Sequence, residues 1–320
     1  IKLLSAVLNI GESSMGKYIH SYKLEDYITI YSNQSQDEKD ILNYIRSIYK
    51  GSVIETDRTV ISPYELDIYI PDKKIAIEYN GNYWHSDIYK NKQYHQLKSI
   101  ECAKVGIRLI HIFEYEWNND NKRQILKSLL KSALDGAEKI YARNTEVMEI
   151  NDIDEIREFE TANHLQGYTN ASISIGMYYK NLLIGILTFG KSRFNDGYQY
   201  ELIRLAYKEG ISVIAGTQKM FKFFINKYNP SSIITYCNLA KFNGHTYLAL
   251  GFKFLGLSEP NYVYVSRDNN NILTRYQTQK HKLVKLNYGS DNETEDEIMK
   301  RLDYFKIYDS GNLKYAWRKD

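Results

Sequence analysis

The stretch Glu65–His85, ELDIYIPDKKIAIEYNGNYWH, sets one Asp and one Glu into two short apolar runs and follows them with Asn-Gly and Trp-His. The runs ELDIYI and KIAIEY alternate with the period of strands, and Pro71-Asp72-Lys73-Lys74 joins them as a hairpin loop. Closed there, the hairpin pairs Ile70 with Ile75 and Ile68 with Ile77, and it sets Asp67 opposite Glu78. Leu66, Ile68, Ile70, Ile75, Ile77 and Tyr79 then share one face, and the two acids share the other. Like charges directly opposed destabilise a sheet, so a positive charge is expected between them. A divalent metal is the economical choice, because Mg²⁺ is held by one or two carboxylates plus water and phosphate oxygens, and it activates water for attack. The plainer alternative is a pair of ordinary strand acids with a nearby Lys as partner. Asn80-Gly81 permits a sharp turn after Glu78, which brings the His85 imidazole back toward the acids, and imidazole is suited to moving protons near neutral pH.

Outward from this hairpin, SQDEKD followed by Ile41, Leu42, Tyr44, Ile45 and Ile48 predicts a helix over about 35–50. NKQYHQLKSIECAKVG reads as a helix stopped at Gly106, IRLIHIFEYEW as a buried strand, and residues 121–136 as a basic helix. His95 and Lys98 share one helical face and are candidate phosphate or DNA contacts, as is Arg58 in ETDRTV. His111, inside an apolar strand, reads as a satisfied core histidine.

These residues resemble a known family. ELDIYIPDKKIAIEYNGNYWHSD with GIRLIHIFEYEW downstream is similar to the catalytic core of the very-short-patch-repair (Vsr) endonucleases, and more so to the bacteriophage homing endonucleases built on that core. Both belong to the PD-(D/E)XK restriction-endonuclease-like superfamily. The resemblance covers residues 35–145 and implies an Mg²⁺-dependent (or Mn²⁺-dependent) endodeoxyribonuclease acting on double-stranded DNA, as a monomer or a homodimer. It implies that Asp67 and Glu78 hold the metal, that His85 acts on the water or the leaving group, and that Glu38 supports the site. Two departures stand out: Asn80 occupies the place where the superfamily has a Lys, and the cysteines of the repair enzymes' structural zinc site are missing.

The second half has a different rhythm. Strand, hairpin, strand, helix, strand and short helix follow in the order of the GCN5-related acetyltransferase (GNAT) fold, and NGHTYLALGF, Asn243 to Phe252, is similar to that family's late Asn, Tyr and Gly-Phe segment. Its diphosphate loop exposes several backbone amides at a helix start. VIAGTQKM offers Gly216 alone, so acetyl-CoA is not expected as a cofactor, and DNA binding is the expected role. NHLQGY, Asn163 to Tyr168, and TRYQTQKHKL, with Lys280 and Lys282, supply polar, basic and aromatic groups for it.

The expected fold is therefore α/β: a Vsr-like core over 35–145, a GNAT-like α+β domain over 146–288, a weakly patterned segment over 1–34 and a tail over 289–320. A net charge of +3 permits a nucleic-acid partner without demanding one, and two distant cysteines fit no metal knuckle or disulfide framework, which suits a reducing cytosol. From Asn121 to Arg143 six basic residues meet two acidic ones, and from Arg267 to Lys285 five meet one; such runs serve either phosphate contact or plain solvation. The chain opens at Ile1 without a signal pattern, which reads as a fragment or processed product of a cytoplasmic, phage-encoded protein. The alternatives are a DNA-targeted acyl- or group-transferring enzyme of GNAT type, or a DNA-binding protein without catalysis.

Overall fold

A computed structural model describes Gly11, Ser14, residues 35–269 and residues 271–319; apart from Gly11 and Ser14, the expectation for residues 1–34 lies outside the described residues. The chain divides into two units, Ile1–Asp40 and Ile41–Asp320.

The hairpin register is the one expected from the sequence. Strand β2 (Leu66–Ile70) pairs antiparallel with β3 (Ile75–Asn80), Ile68 facing Ile77 and Ile70 facing Ile75, around a 3₁₀ turn at Pro71–Lys73 whose cap, Lys74, is left-handed. Strand β1 (Ile54–Asp57) flanks β2, and β4 (Arg108–Phe113) runs parallel to β3, so the sheet order is β1-β2-β3-β4. A parallel pair needs a crossover, and α2 (Tyr94–Lys104) supplies it, ending before Gly106 at φ +77°. On one face Ile68, Ile70, Ile75 and Ile77 pack with Ile41, Leu42 and Ile45 of helix α1 (Gln36–Ile48) and with Leu126 and Leu130 of α4 (Asp120–Ala133). On the other, Ala76, Leu109 and Cys102 of α2 pack together. Leu66, expected on the first face, joins this second cluster at the end of its strand. The strand expected through Trp117 stops at Phe113, because Glu114–Trp117 turns into a short helix, α3, whose Glu116 side chain accepts from the Phe113 N–H.

Beyond this sheet, β5 (Glu138–Tyr141) leads to a seven-stranded sheet. It contains β6 (Glu146–Glu149), β7 (Ile173–Tyr179), β8 (Leu182–Gly190), β9 (Tyr200–Tyr207), β11 (Ser232–Asn238), β12 (Lys253–Leu257) and β16 (Asn312–Arg318), in the order β12-β16-β11-β9-β8-β7-β6. Helix α6 (Gly216–Tyr228) covers one face through Met220, Phe221 and Phe224; α5 (Ile153–Asn163) covers part of the other through Ile156 and Phe159. Lys180-Asn181 is not the favoured hairpin pair, yet both residues take positive φ, +50° and +62°, as a two-residue turn between right-twisted strands requires. Short β10 (Ile211–Ile214) leaves the main sheet and pairs in parallel with β5.

The segment expected as a tail is built into the sheet. β16 lies between β11 and β12 and is antiparallel to both, so the last strand completes the core. Between β12 and β16 the chain forms a three-stranded sheet, β14-β13-β15, from β13 (Tyr262–Ser266), β14 (Ile272–Thr274) and β15 (Tyr304–Tyr308), with α8 (Lys280–Lys285) and α9 (Glu295–Arg301) packed through Leu283, Ile298 and Met299. Among the described residues no helix is long and apolar enough to cross a membrane.

Ile77 is fully buried in the first sheet. Ile77→Ala is expected to cost about 2–5 kcal/mol, the range for large-to-small changes in a packed core, measured by urea unfolding.

Candidate functional site

Because β3 is covered on both faces, the acid at its centre is taken out of water: Glu78 is 4% exposed. One carboxylate oxygen, Oε1, is ion-paired with Lys98 of α2, itself 2% exposed, while Oε2 meets no close hydrogen-bond partner among the described residues. Asp67 Oδ2 accepts the Tyr79 N–H at 2.8 Å. Burial, then the Glu78 charge, hold the Asp67 carboxyl well above the ordinary range, against the pull of Lys98. Burial likewise raises Glu78, and Lys98 opposes it. For Lys98 burial works to lower the pKa, but Glu78 and Asp67 outweigh it and hold the ammonium charged. The positive charge that the sequence assigned to a metal is thus the Lys98 ammonium, which was expected to reach phosphate and instead points into the core. Among the described residues no group of three or more His, Cys, Asp or Glu comes together to hold a metal.

Next to this cluster, His85 Nδ1 and His95 Nε2 lie 3.0 Å apart with their rings stacked at 22°. Burial, then the neighbouring His95 and Lys side chains, push His85 down to about 2, and burial brings His95 down to about 3. Both imidazoles are neutral at pH 7, and one N–H serves the shared contact. His111 is a satisfied core histidine: the Asn80 amide lies 3.2 Å from Nδ1 and can only donate, which leaves the ring proton on Nε2, 3.0 Å from Ser99 Oγ. Asn80, in the place of the superfamily's Lys, therefore orients a buried ring.

The remaining candidates are dispersed. Glu38 sits in the first turn of α1, its N–H donating to Ser35 Oγ. Arg58 is exposed and paired with Glu65 at 2.6 Å. On α8, Lys280 Nζ donates to the Asp291 carbonyl and Lys282 Nζ to the Tyr276 carbonyl, each at 2.7 Å.

A second candidate region lies where strands part. The parallel strands β9 and β11 pair only at Tyr200–Ile233, Glu201–Ile234 and Leu202–Thr235. Past a register shift in the β8–β9 pairing, β9 runs on to Tyr207 beside β8 alone, so the sheet opens between β9 and β11. Helix α6 begins after this opening with Ala215 as its N-cap in the left-handed region (φ +61°), and the N-cap side chain makes no capping hydrogen bond. Gly216 is required by packing, since a Cβ there would lie 2.6 Å from the Tyr207 hydroxyl. Tyr247, on the short helix α7 (His245–Ala249), is flanked by Cys237, Thr235 and Tyr315; burial, then the Cys237 charge, raise its pKa, so the phenol stays protonated. The left-handed Ala215 had no signal in the sequence, because alanine carries no preference for that region.

No family model matches this chain, and no curated protein does. Among solved structures it is similar to a Bacillus subtilis acetyltransferase in complex with CoA (13% identity, 55% of this chain and 99% of that one, TM-score 0.31). It is also similar to a GNAT family acetyltransferase from Elizabethkingia anophelis with acetyl-CoA bound (12%, 55% and 99%, TM-score 0.28) and to N-acetylglutamate synthase from Neisseria gonorrhoeae complexed with coenzyme A and N-acetylglutamate (10%, 69% and 45%, TM-score 0.27).

The expectation of an endodeoxyribonuclease with Mg²⁺ as its cofactor is corrected: Lys98 holds the charge that the metal was to supply. Acetyl-CoA was not expected as a cofactor, whereas the first two of those solved structures are described with CoA or acetyl-CoA bound. The chain is a mixed α/β protein with GNAT acetyltransferase neighbours over about half its length.

Lys98→Met leaves Glu78 buried without its cation and is expected to cost about 3–5 kcal/mol in urea unfolding, with part recovered by adding Glu78→Gln. His95 binds its proton at about pH 3 when folded and near 6.5 when unfolded, so the unfolded state takes up more protons and stability falls as pH drops from 6.5 toward 3. The contribution of this residue approaches about 1.4 kcal/mol per pH unit. In His95→Gln the acid limb of the stability curve is expected to be shallower by that amount.

Proposed function

We propose that the protein is an acyltransferase of the GNAT type, using an acyl-CoA donor at the opening between β9 and β11. The observation that carries this reading is the parting of two parallel strands after three paired residues, with the uncapped start of α6 beyond it. Crevices at the carboxyl ends of parallel strands are the places where open α/β sheets bind ligands. A helix start presents unsatisfied N–H groups and a partial positive charge, which suit a diphosphate. The first turn of α6 holds no acid to oppose an anion. Ala215 enters the helix in the left-handed region, where glycine is usual, and Gln218 of the first turn is exposed. The chemistry supplied by the bound donor is an activated thioester carbonyl.

The residues of the chain then have defined tasks. The amides of the α6 first turn hold the diphosphate. Tyr247, kept protonated by its surroundings, donates a proton to the departing thiolate as the C–S bond breaks and the bond to the acceptor forms. The acceptor's proton leaves to solvent, from which Tyr247 is reprotonated.

Gln218 is exposed in that first turn. Gln218→Glu places a negative charge where it favours the helix but repels a diphosphate. Calorimetry on the full chain is expected to show acetyl-CoA binding that this variant weakens at least about tenfold, with thermal stability unchanged or raised. Absence of acetyl-CoA binding by the unmodified chain would remove the reading.

A further inference from the structure

A cavity of about 410 Å³ lies outside both sites described above, where the three-stranded sheet meets the loop before α2. Its lining includes Lys92, Glu259, Asn261, Tyr262, Arg275 and Tyr308. The volume falls within the range typical of small-molecule sites, about 300–1,000 Å³.

The charges in this cavity are unequal. Lys92 Nζ and Glu259 Oε2 are paired at 2.7 Å and cancel. Arg275 makes no ion pair among the described residues; its guanidinium lies over the Tyr262 ring, 5.5 Å from the centroid. A guanidinium stacked on an aromatic ring leaves its edge free, and that edge matches the oxygens of a phosphate.

The walls are aromatic and fixed. Tyr262 and Tyr308 are cross-strand partners on β13 and β15, their rings 5.7 Å apart at 74°, and the Tyr262 hydroxyl donates to Glu295 at 2.6 Å. Tyr262 already meets Arg275 and the Lys306 ammonium, 4.7 Å from its centroid, so it is Tyr308, braced against Tyr262, that offers a ring to a planar heterocycle in this corner. Asn261 is anchored through its backbone, its N–H donating to Asp309 Oδ1 at 2.7 Å and its carbonyl accepting from the Asp309 N–H at 2.8 Å. This leaves an amide able to donate and accept at the rim.

We propose that this cavity binds a nucleoside monophosphate unit, the phosphate on Arg275 and the base against the tyrosine corner. A bare phosphate leaves the rings unused, and an apolar ligand leaves the Arg275 charge unanswered. The unit comes either as a free nucleotide or as one residue of a single strand.

Calorimetric titration of the full chain with uridine monophosphate tests this, with inorganic phosphate, uridine and oligothymidylate as comparison ligands. Uridine monophosphate is no part of CoA, so the result is independent of the acyl-CoA reading; Gln218→Glu is expected to leave it unchanged. Binding is expected at least tenfold tighter than for phosphate or uridine alone, and Arg275→Gln and Tyr308→Leu are each expected to weaken it about tenfold or more. Arg58→Gln, which removes an exposed arginine elsewhere, is expected to have no effect. Oligothymidylate bound more tightly than the mononucleotide, with the same dependence on Arg275, assigns the unit to a strand; equal or weaker binding assigns it to the free nucleotide. Uridine monophosphate bound no better than phosphate, or bound equally well by Arg275→Gln, overturns the proposal.

Discussion

A charge removed from water must meet its opposite, and three such pairs organise this molecule. Glu78 at the centre of the four-stranded sheet meets Lys98 from the crossover helix. Glu201, 1% exposed on β9, meets Arg193, whose backbone N–H also donates to it at 3.0 Å. Lys241, fully buried just past β11, meets Glu116 at 2.6 Å and also donates to the His111 carbonyl on β4. This last pair has wider reach, because Ala240 and Lys241 run along the edge of β4. The His111 N–H donates to the Ala240 carbonyl at 2.8 Å, and the Arg108 guanidinium donates twice to the Lys241 carbonyl. The strand that opens the seven-stranded sheet therefore continues directly into the segment that seals the first sheet.

That continuity gives the opening between β9 and β11 a firm frame. β11 is held along its whole length by β16 on one side and at its end by β4, while β9 is held by β8. A pre-formed crevice of this kind loses little entropy when a ligand enters, which is the main physical advantage of building a site on strands rather than loops.

Much of the fold was legible from local pattern. The hairpin register at 68–77 followed from closing the loop at 71–74, and the helix at 36–48 from its cap and apolar spacing. The hairpin at 173–190, the strands at 200–207 and 232–238 and the helices at 216–228 and 245–249 followed from run lengths, whereas the helix at 153–163 and the strands at 146–149, 211–214 and 253–257 were not read. What could not be read was non-local. Asn312–Arg318 looks like an ordinary terminal run, and only the partner strands β11 and β12 make it a central strand. The site was legible as a set of residue types but not as a set of partners. Asp67 and Glu78 call for a cation, yet whether that cation is a metal or an ammonium depends on which face of α2 meets the sheet, and the rotation of α2 places Lys98 there. Likewise Gly216 was visible as a lone glycine, while the left-handed Ala215 before it, which follows the strand β10 paired with β5, carried no local signal.

The central claim is that the first turn of α6 receives the diphosphate of an acyl-CoA. Amide hydrogen exchange of the full chain with and without acetyl-CoA tests it most directly. Slower exchange is expected at Gly216, Thr217 and Gln218 when the ligand is present, with the β16 amides unchanged. Unaltered exchange at those three amides in the presence of saturating acetyl-CoA, or protection confined to another region, contradicts it.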